Sequence, residues 1–538
     1  DKTGTITKGI MSVVRVVTPE HDLEMHETLP SDADELLLLG ALNNDASVQK
    51  DKRVGHPTEL ALVDAAIDVG IDIRSARANM ARIGEIPFSS DRKYMVTAHR
   101  RDNEDIMIIK GAPERIFEMC DMSAKERHRF EQISDEMAQK GLRVLAVATK
   151  SGPMVKEDEK ILHASCVGMV ALQDPLREST KSTIEELNSA GIRVVLVTGD
   201  HPSTASYIAE NAGIEIGENG VITGTELDEM SDDELQSRIA RIAVFARVDP
   251  RHKVRIVQAW KNRDQIVAMV GDGVNDAAAM KVADIGVALG SGTDVAQQTS
   301  DMVLLDDNLA TITSAVREGR VIFDNIRKVI VYLLADSFSE IILIGGAIAL
   351  GMPLPVLAVQ ILWINLVTDG FPHLALTTEP GEDDVMKRPP RRKEEPVVDR
   401  DMKILIFIIG IVTDIGLLLL FWMLLGRGYD IEHLRTIMFS ALAIDSLFYV
   451  FAVRSLRHSV LSIKLFRNKW LNVAVVGGIA LQIAAIYVPF LQELFSTVPL
   501  LLQDWMVLIG LSLIKLIVIE ITKEVLVIVR RKRYAASI

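Results

Sequence analysis

The sequence predicts an α/β soluble half, interrupted by an inserted domain and followed by an all-α membrane half of six helices. Three observations predict it. From about Ile326 onward apolar stretches of roughly 20 residues recur, the length that crosses a ~30 Å hydrocarbon core, and no such stretch precedes them. In the first half, β-branched runs at 194–197, 266–270 and 285–289 alternate with amphipathic helical patterns such as 179–188, the mark of a parallel sheet. The stretch up to about residue 155 has a different character, which reads as an insertion.

Taken in order, Asp1-Lys2-Thr3-Gly4-Thr5 is a Gly-containing turn of the kind that follows a strand of the same sheet. The insertion contains Phe88-Ser89-Ser90-Asp91-Arg92-Lys93 and Lys110-Gly111-Ala112-Pro113-Glu114. The runs at 194–197 and 266–270 end in small polar loops, Thr198-Gly199-Asp200 and Gly271-Asp272-Gly273, where an α/β sheet presents ligand groups at its strand C-termini. Membrane spans are expected near 326–350, 355–377, 402–425, 435–453, 470–490 and 504–528. Basic residues gather after the second span (Lys387, Arg388, Arg391, Arg392, Lys393), after the fourth (Arg454, Arg457, Lys464, Arg467, Lys469) and in the tail (Arg530 to Arg533). Stretches 351–355 and 489–503 carry no Lys or Arg. The positive-inside rule therefore puts the soluble half and the C-terminus on the cytoplasmic side. The Pro/Arg/Glu-rich linker at 387–400 reads as a solvated loop.

At 538 residues and 49% hydrophobic content the chain is too long for one compact domain. A net charge of -14 argues against a nucleic-acid partner, which needs a clustered basic face. Cys120 and Cys166 are too few for a disulfide framework and suit a reducing cytosol, with no redox role implied. The chain opens on Asp1 without an initiator Met or signal peptide although membrane spans follow, so it reads as a fragment.

A phosphoryl-transfer site needs a nucleophile, a magnesium ion to neutralise phosphate charge, and cationic or hydrogen-bonding groups around the equatorial oxygens. Asp1 is a carboxylate on a turn, Asp272 and Asp276 form an acidic loop with Asn275, and Thr198 with Lys253 suits the transferred group. Singly, an Asp-Gly turn is most often only a turn. The combination Asp-Lys-Thr-Gly-Thr, Thr-Gly-Asp and Gly-Asp-Gly-Val-Asn-Asp, in this order, resembles the P-type ATPases, a branch of the haloacid-dehalogenase-like hydrolases.

That resemblance implies a haloacid-dehalogenase-like phosphorylation domain at 1–10 and 156–325, an inserted α+β nucleotide-binding domain at 11–155, and a transmembrane domain at 326–538 equivalent to the family's fifth to tenth membrane helices. It implies that Asp1 becomes an aspartyl-phosphate within the motif that includes Lys2 and Thr3. Asp1 and Asp272 would ligate Mg²⁺ with the Thr3 carbonyl, and Lys253 and Thr198 would bind phosphoryl oxygens. Gly199 and Asp200 continue the second motif, and Asn275 and Asp276 complete the shell. Hard oxygen ligands suit magnesium. ATP is the implied substrate, with Phe88, Glu59, Lys110 and Arg143 matching the family's nucleotide pocket, Asp174 and Arg177 at the domain hinge near the nucleotide, and Arg247 close to it. A lone Phe is more often core than an adenine shelf. Its place in Pro87-Phe88-Ser89, ahead of Lys110-Gly111-Ala112-Pro113-Glu114, favours the shelf.

In the membrane half Ser337 and Glu340 fall at i and i+3, and Asn365, Thr368 and Asp369 at i, i+3 and i+4, so each set faces one way on an α-helix. Carboxylates at membrane depth are functional candidates by default, and this inventory of oxygens suits calcium. The segment Trp363-Ile364-Asn365-Leu366-Val367-Thr368-Asp369-Gly370 resembles the sixth membrane helix of calcium-transporting P-type ATPases. Glu340 and Asp445 match further acidic ligands of that family. Ser337 stands where sarcoplasmic-reticulum-type pumps carry an amide. Asp336 either joins the site or pairs with Lys328 or Lys515. Asp414 reads as a packing or water-facing acid, and Glu520 as a partner of Lys515 or of a basic group near the membrane face.

The expected function is ATP-driven efflux of Ca²⁺ or Mn²⁺ from the cytosol. The alternatives are a proton or monovalent-cation pump and, more distantly, a membrane-anchored haloacid-dehalogenase-like phosphatase, which usually keeps a second aspartate where Thr3 stands. The implied partners are ATP, the transported cation, the lipid bilayer and an absent N-terminal half with the actuator domain and four membrane helices. Without that half, this part alone is not expected to complete the cycle. The short tail points to a prokaryotic plasma membrane.

Overall fold

The computed structural model describes residues 2, 4–49, 52–89, 91–101, 104–155 and 161–536. Asp1 and Thr3 lie outside the described residues, as do Ser90 and the expected domain boundary at 156. The chain divides into two units, Asp1–Thr313 and Ser314–Ile538.

The first unit contains a seven-stranded antiparallel sheet. Its strands, in spatial order, are Asp22–Glu24, Ser12–Val17, Ser165–Gln173, Arg143–Ser151, Glu104–Gly111, Tyr94–Arg101 and Ala81–Ile86. Side chains of successive strand residues point to opposite faces, and here both faces are covered. Val16, Ile108, Val147 and Val170 pack under the helices Ser31–Leu42, Pro57–Asp68 and Ile73–Asn79. Their chain neighbours Val17, Ile109, Ala146 and Met169 pack with Phe117 and Phe130 of the helices Pro113–Met119 and Ala124–Gln139. That double burial accounts for apolar residues at successive positions, such as Val16-Val17 and Ile108-Ile109.

The sheet corrects the expected boundary at 155. Ser165–Gln173 is its third strand, hydrogen-bonded to Ser12–Val17 on one side and Arg143–Ser151 on the other, so the inserted sheet extends to Gln173. Backbone pairing decides membership of a sheet, and composition does not report pairing.

Parallel strands follow, in two groups of three among the described residues. Leu196–Val197 and Val221–Thr223 flank Val244–Ala246, and Ile285–Leu289 lies between Ala268–Gly271 and Met302–Leu304. The helices between them are well specified. Pro250–Lys261 starts with Pro at its first position behind Asp249, whose carboxylate accepts the N–H groups of Arg251 and His252 at 2.8 and 3.1 Å. The loops 198–200 and 271–273 leave the C-terminal ends of their strands.

Among the described residues five helices are long and apolar enough to cross a membrane: Ala310–Ala349, Arg400–Gly426, Ile431–Val453, Lys469–Tyr487 and Leu502–Val529. The expected span at 355–377 is not among them: it carries the polar residues Gln360, Asn365, Thr368, Asp369 and His373 within its apolar run. It runs as Ala358–Trp363, a π-helical turn Ile364–Asp369, and Gly370–Thr377. Ile431–Val453 is the central helix, with 89% of its apolar window buried inside the protein. Gly410 lets Arg400–Gly426 approach Ala310–Ala349 closely, since a Cβ there would lie 2.6 Å from the Ala335 carbonyl.

The linker at 387–400 is exposed at most of its positions, as its composition leads one to expect, and is anchored at its start. Arg388 is tied to Glu382, Asp384 and Asp324, the last at 2.7 Å, and Arg391 lies over the Phe323 ring at 4.4 Å.

Candidate functional site

Three loops of the first unit meet. The Lys2 ammonium lies 2.5 Å from Asp200 Oδ2, joining the opening segment to the loop after Leu196–Val197. Gly4 adopts φ +70°, and a Cβ there would stand 2.9 Å from Asp272 Oδ2, so the opening turn touches the loop after Ala268–Gly271. Lys253 donates to Asp276 Oδ1 at 2.6 Å, with both side chains buried. Asp276 also accepts the Gly273 N–H at 3.4 Å, and a side chain at Gly271 would collide with it at 2.4 Å. Thr198 is buried, and its hydroxyl oxygen accepts the Asp200 N–H at 3.2 Å. Asn275 is exposed at the start of the helix Val274–Val282.

Burial, and then the charge of Asp276, hold the Asp272 carboxyl above the usual carboxylate range. A cation beside it would favour the ionised form, and a half-buried carboxylate beside the opening turn fits a magnesium ion.

Asp174 and Arg177 hold the opening segment. Thr7 donates to Asp174 Oδ2 at 2.6 Å, and Arg177 donates to the carbonyls of Gly4 at 2.8 Å and Thr7 at 3.1 Å. Sequence reasoning missed Thr7, and also Thr180, which donates to the Ile6 carbonyl at 2.8 Å. Nothing in their local sequence signals either contact. Arg247 is exposed, at φ +51°, and its N–H donates to the Asp200 carbonyl at 2.9 Å.

Strand register gathers the nucleotide candidates at one end of the seven-stranded sheet. Ile86, two residues before Phe88, pairs with Val96, which pairs with Ile109 beside Lys110. Arg143 opens the strand whose Ala146 pairs with Gly111. Phe88 is 59% exposed, an aromatic face open to solvent. Lys110, in contrast, is 5% exposed: it donates to the Asn43 carbonyl and lies 3.7 Å from Glu59. Burial lowers its pKa to about 8. Arg143 is exposed and donates to Thr58 at 3.1 Å.

In the second unit the π-turn carries Asn365, Thr368 and Asp369. A π-turn holds more residues than an α-turn, so the expected common face is redistributed. Asn365 is exposed and donates to Glu340 Oε1 at 3.1 Å. Thr368 turns inward and donates to its own Ile364 carbonyl at 3.0 Å. Asp369 is 2% exposed, and its Oδ1 has no hydrogen-bond partner. Ser337 faces outward and donates to the Leu333 carbonyl at 3.0 Å.

Asp336 forms no ion pair with either lysine considered for it. Its Oδ1 accepts the Tyr449 hydroxyl at 2.6 Å and its Oδ2 is buried without a partner, while Lys328 donates to Asn325 at 3.1 Å. Lys515 instead pairs with Asp445. Asp336, Asp369 and Asp445 lie near enough to feel one another's charge. Asp414 is fully buried and accepts the Ser339 hydroxyl at 2.6 Å. Of the two partners considered for Glu520, Lys515 or another basic group, the structure has the second: it pairs with Lys523, and it accepts the Val460 N–H at 2.9 Å.

Comparison with known proteins follows the same division. The model of the cation-transporting ATPase C-terminus matches residues 353–525, that of the P-type ATPase cytoplasmic domain N matches 32–179, and that of the haloacid dehalogenase-like hydrolases matches 253–315. The chain is 38% identical to calcium-transporting ATPase 1 of Bacillus cereus over 97% of its own length and 62% of the relative's. It is 35% identical to the probable cation-transporting ATPase F of Mycobacterium tuberculosis, over 94% and 60%. With the calcium-transporting ATPase type 2C member 1 of Bos taurus it shares 34%, over 98% and 58%. The chain thus spans about three fifths of the length of the curated relatives it matches.

Proposed function

Because the chain belongs to the P-type ATPases, we propose that it supplies the phosphorylation, nucleotide-binding and ion-holding parts of a pump that moves a divalent cation, calcium first, across a membrane. The observation that carries this reading is the meeting of the opening segment with the loops at 198–200 and 271–276, through Lys2–Asp200, Gly4–Asp272 and Lys253–Asp276.

In this reading Asp1 attacks the terminal phosphorus of ATP and becomes an aspartyl-phosphate as ADP leaves. The Lys253 ammonium, oriented by Asp276, and the Thr198 hydroxyl hold the equatorial oxygens. Asp1, Asp272 and the Thr3 carbonyl would hold magnesium, which when bound neutralises phosphate charge. Arg177 and the Thr7–Asp174 bond keep the opening turn in place. Phe88 stacks the adenine, and Glu59, Lys110 and Arg143 line that end of the sheet.

Glu340, Asn365 and Asp369, with Asp336 beside them, form the cation site. The unpartnered buried oxygens of Asp369 and Asp336 are the groups a cation would satisfy. The names of several relatives specify calcium, and that cargo comes to this chain as part of the proposal. The segment Ala358–Thr377 counts as a sixth span beside the five longer and more apolar ones, with the basic loops on the cytoplasmic side of a prokaryotic plasma membrane.

The test uses the full-length protein, terminally labelled ATP and Mg²⁺, with Ca²⁺, Mn²⁺, Na⁺ and K⁺ supplied one at a time. An acid-stable label that requires Ca²⁺ or Mn²⁺, is lost in Asp1→Asn and loses its cation dependence in Asp369→Asn is the expected result. Absence of label with every cation overturns the reading. Label driven only by a monovalent ion replaces the cargo and keeps the chemistry.

A further inference from the structure

The last long helix, Leu502–Ala536, brings Lys515 to the buried carboxylates Asp414 and Asp445. Lys515 is 4% exposed and forms an ion pair with Asp445. Its ammonium also lies 3.8 Å from Asp414 Oδ2 and 4.9 Å from the centre of the Tyr449 ring. Ser339 fixes Asp414 by a 2.6 Å hydrogen bond, and the Tyr449 hydroxyl reaches on to Asp336. The ammonium is therefore enclosed by two carboxylates and an aromatic face.

The five carboxylates consequently divide. Asp414 and Asp445 share Lys515, whereas Asp336, Glu340 and Asp369 form no ion pair with a Lys or Arg among the described residues. A divalent cation entering beside Asp445 would meet a fixed positive charge that is covalently tethered and has no route out. In a medium of low dielectric that repulsion is strong, and displacing the ammonium would leave it buried without partners.

We propose that Lys515 is a resident cation: its ammonium fills the position between Asp414 and Asp445 that an ion would otherwise take. Asp445 is then outside the ligand set, and the membrane domain loads one divalent cation, at Glu340, Asn365, Asp369 and Asp336. This inference rests on the cation-pump reading and adds its stoichiometry and the residue that sets it.

The experiment measures radiolabelled calcium occluded per acid-stable phosphoenzyme in the full-length protein. One calcium is expected for the unaltered protein and for Lys515→Arg. Two are expected for Lys515→Met, where Asp414 and Asp445 are left open to a second ion. Asp445→Asn provides an independent arm if Lys515→Met does not fold, because Lys515 keeps Asp414 as a partner. It should leave the half-saturating calcium for phosphoenzyme formation nearly unmoved, whereas loss of a true ligand raises it by about tenfold or more. Two calcium ions in the unaltered protein, or a tenfold rise in Asp445→Asn, overturns the inference and leaves the pump reading standing. A phosphoenzyme indifferent to calcium overturns both.

Discussion

Lys110 offers a test in which pH and one substitution report on the same side chain. Its ammonium donates to the Asn43 carbonyl near the end of a central strand, and burial, only partly offset by Glu59 and Asp45, lowers its pKa from 10.5 to about 8. The unfolded chain keeps the ordinary value, so between about pH 8 and 10.5 the unfolded state binds more protons and stability rises with pH. The penalty for burying the charged lysine is complete below about pH 8 and gone by 10.5. At 1.36 kcal/mol per pH unit it amounts to about 3 kcal/mol. Lys110→Met, which has no proton to lose, should lack that rise. If the ammonium also serves the nucleotide, its charged fraction drops from about 90% at pH 7 to about 10% at pH 9, and affinity falls about tenfold with it. The assay titrates a fluorescent ATP analogue onto the unaltered protein and Lys110→Met at pH 7, 8 and 9. The unaltered protein should lose affinity through about pH 8 while the variant stays level. Parallel profiles would refute the role assigned to this lysine.

Thr7→Val removes the donor to buried Asp174 and should destabilise the first unit by about 1–3 kcal/mol in denaturant unfolding, with Thr7→Ser restoring most of it. Lys253→Met leaves Asp276 buried and without its 2.6 Å partner. Rapid-quench phosphoenzyme formation should drop by about a hundredfold or more, while equilibrium nucleotide binding changes little. Arg454 and Glu379 form a buried pair with contacts of 2.8 and 2.9 Å, and Glu379 also accepts from Asn468 at 2.8 Å. Arg454→Met should lower stability by about 3–5 kcal/mol in detergent unfolding, and the double change with Glu379→Gln by less, since no charge is then stranded.

Adjacency in the chain determined much of this protein. Asp-Lys-Thr-Gly-Thr, Thr-Gly-Asp and Gly-Asp-Gly-Val-Asn-Asp are short runs whose chemistry depends on neighbouring residues, and hydropathy marks a membrane helix because a span is one continuous apolar segment. The α/β alternation behind the loops at 198–200 and 271–273 is likewise a local pattern. Tertiary structure alone decided the pairings. The strand Ser165–Gln173 joined the inserted sheet through partners at both ends of the insertion. Thr7 found Asp174 across 167 positions, and Lys515 found Asp445 across 70. In the π-turn Asn365 is exposed while Thr368 and Asp369 are buried, although helical spacing had placed all three on one face. A buried charge must be compensated by whatever packing brings beside it, and packing joins segments that carry no mark of one another in the sequence.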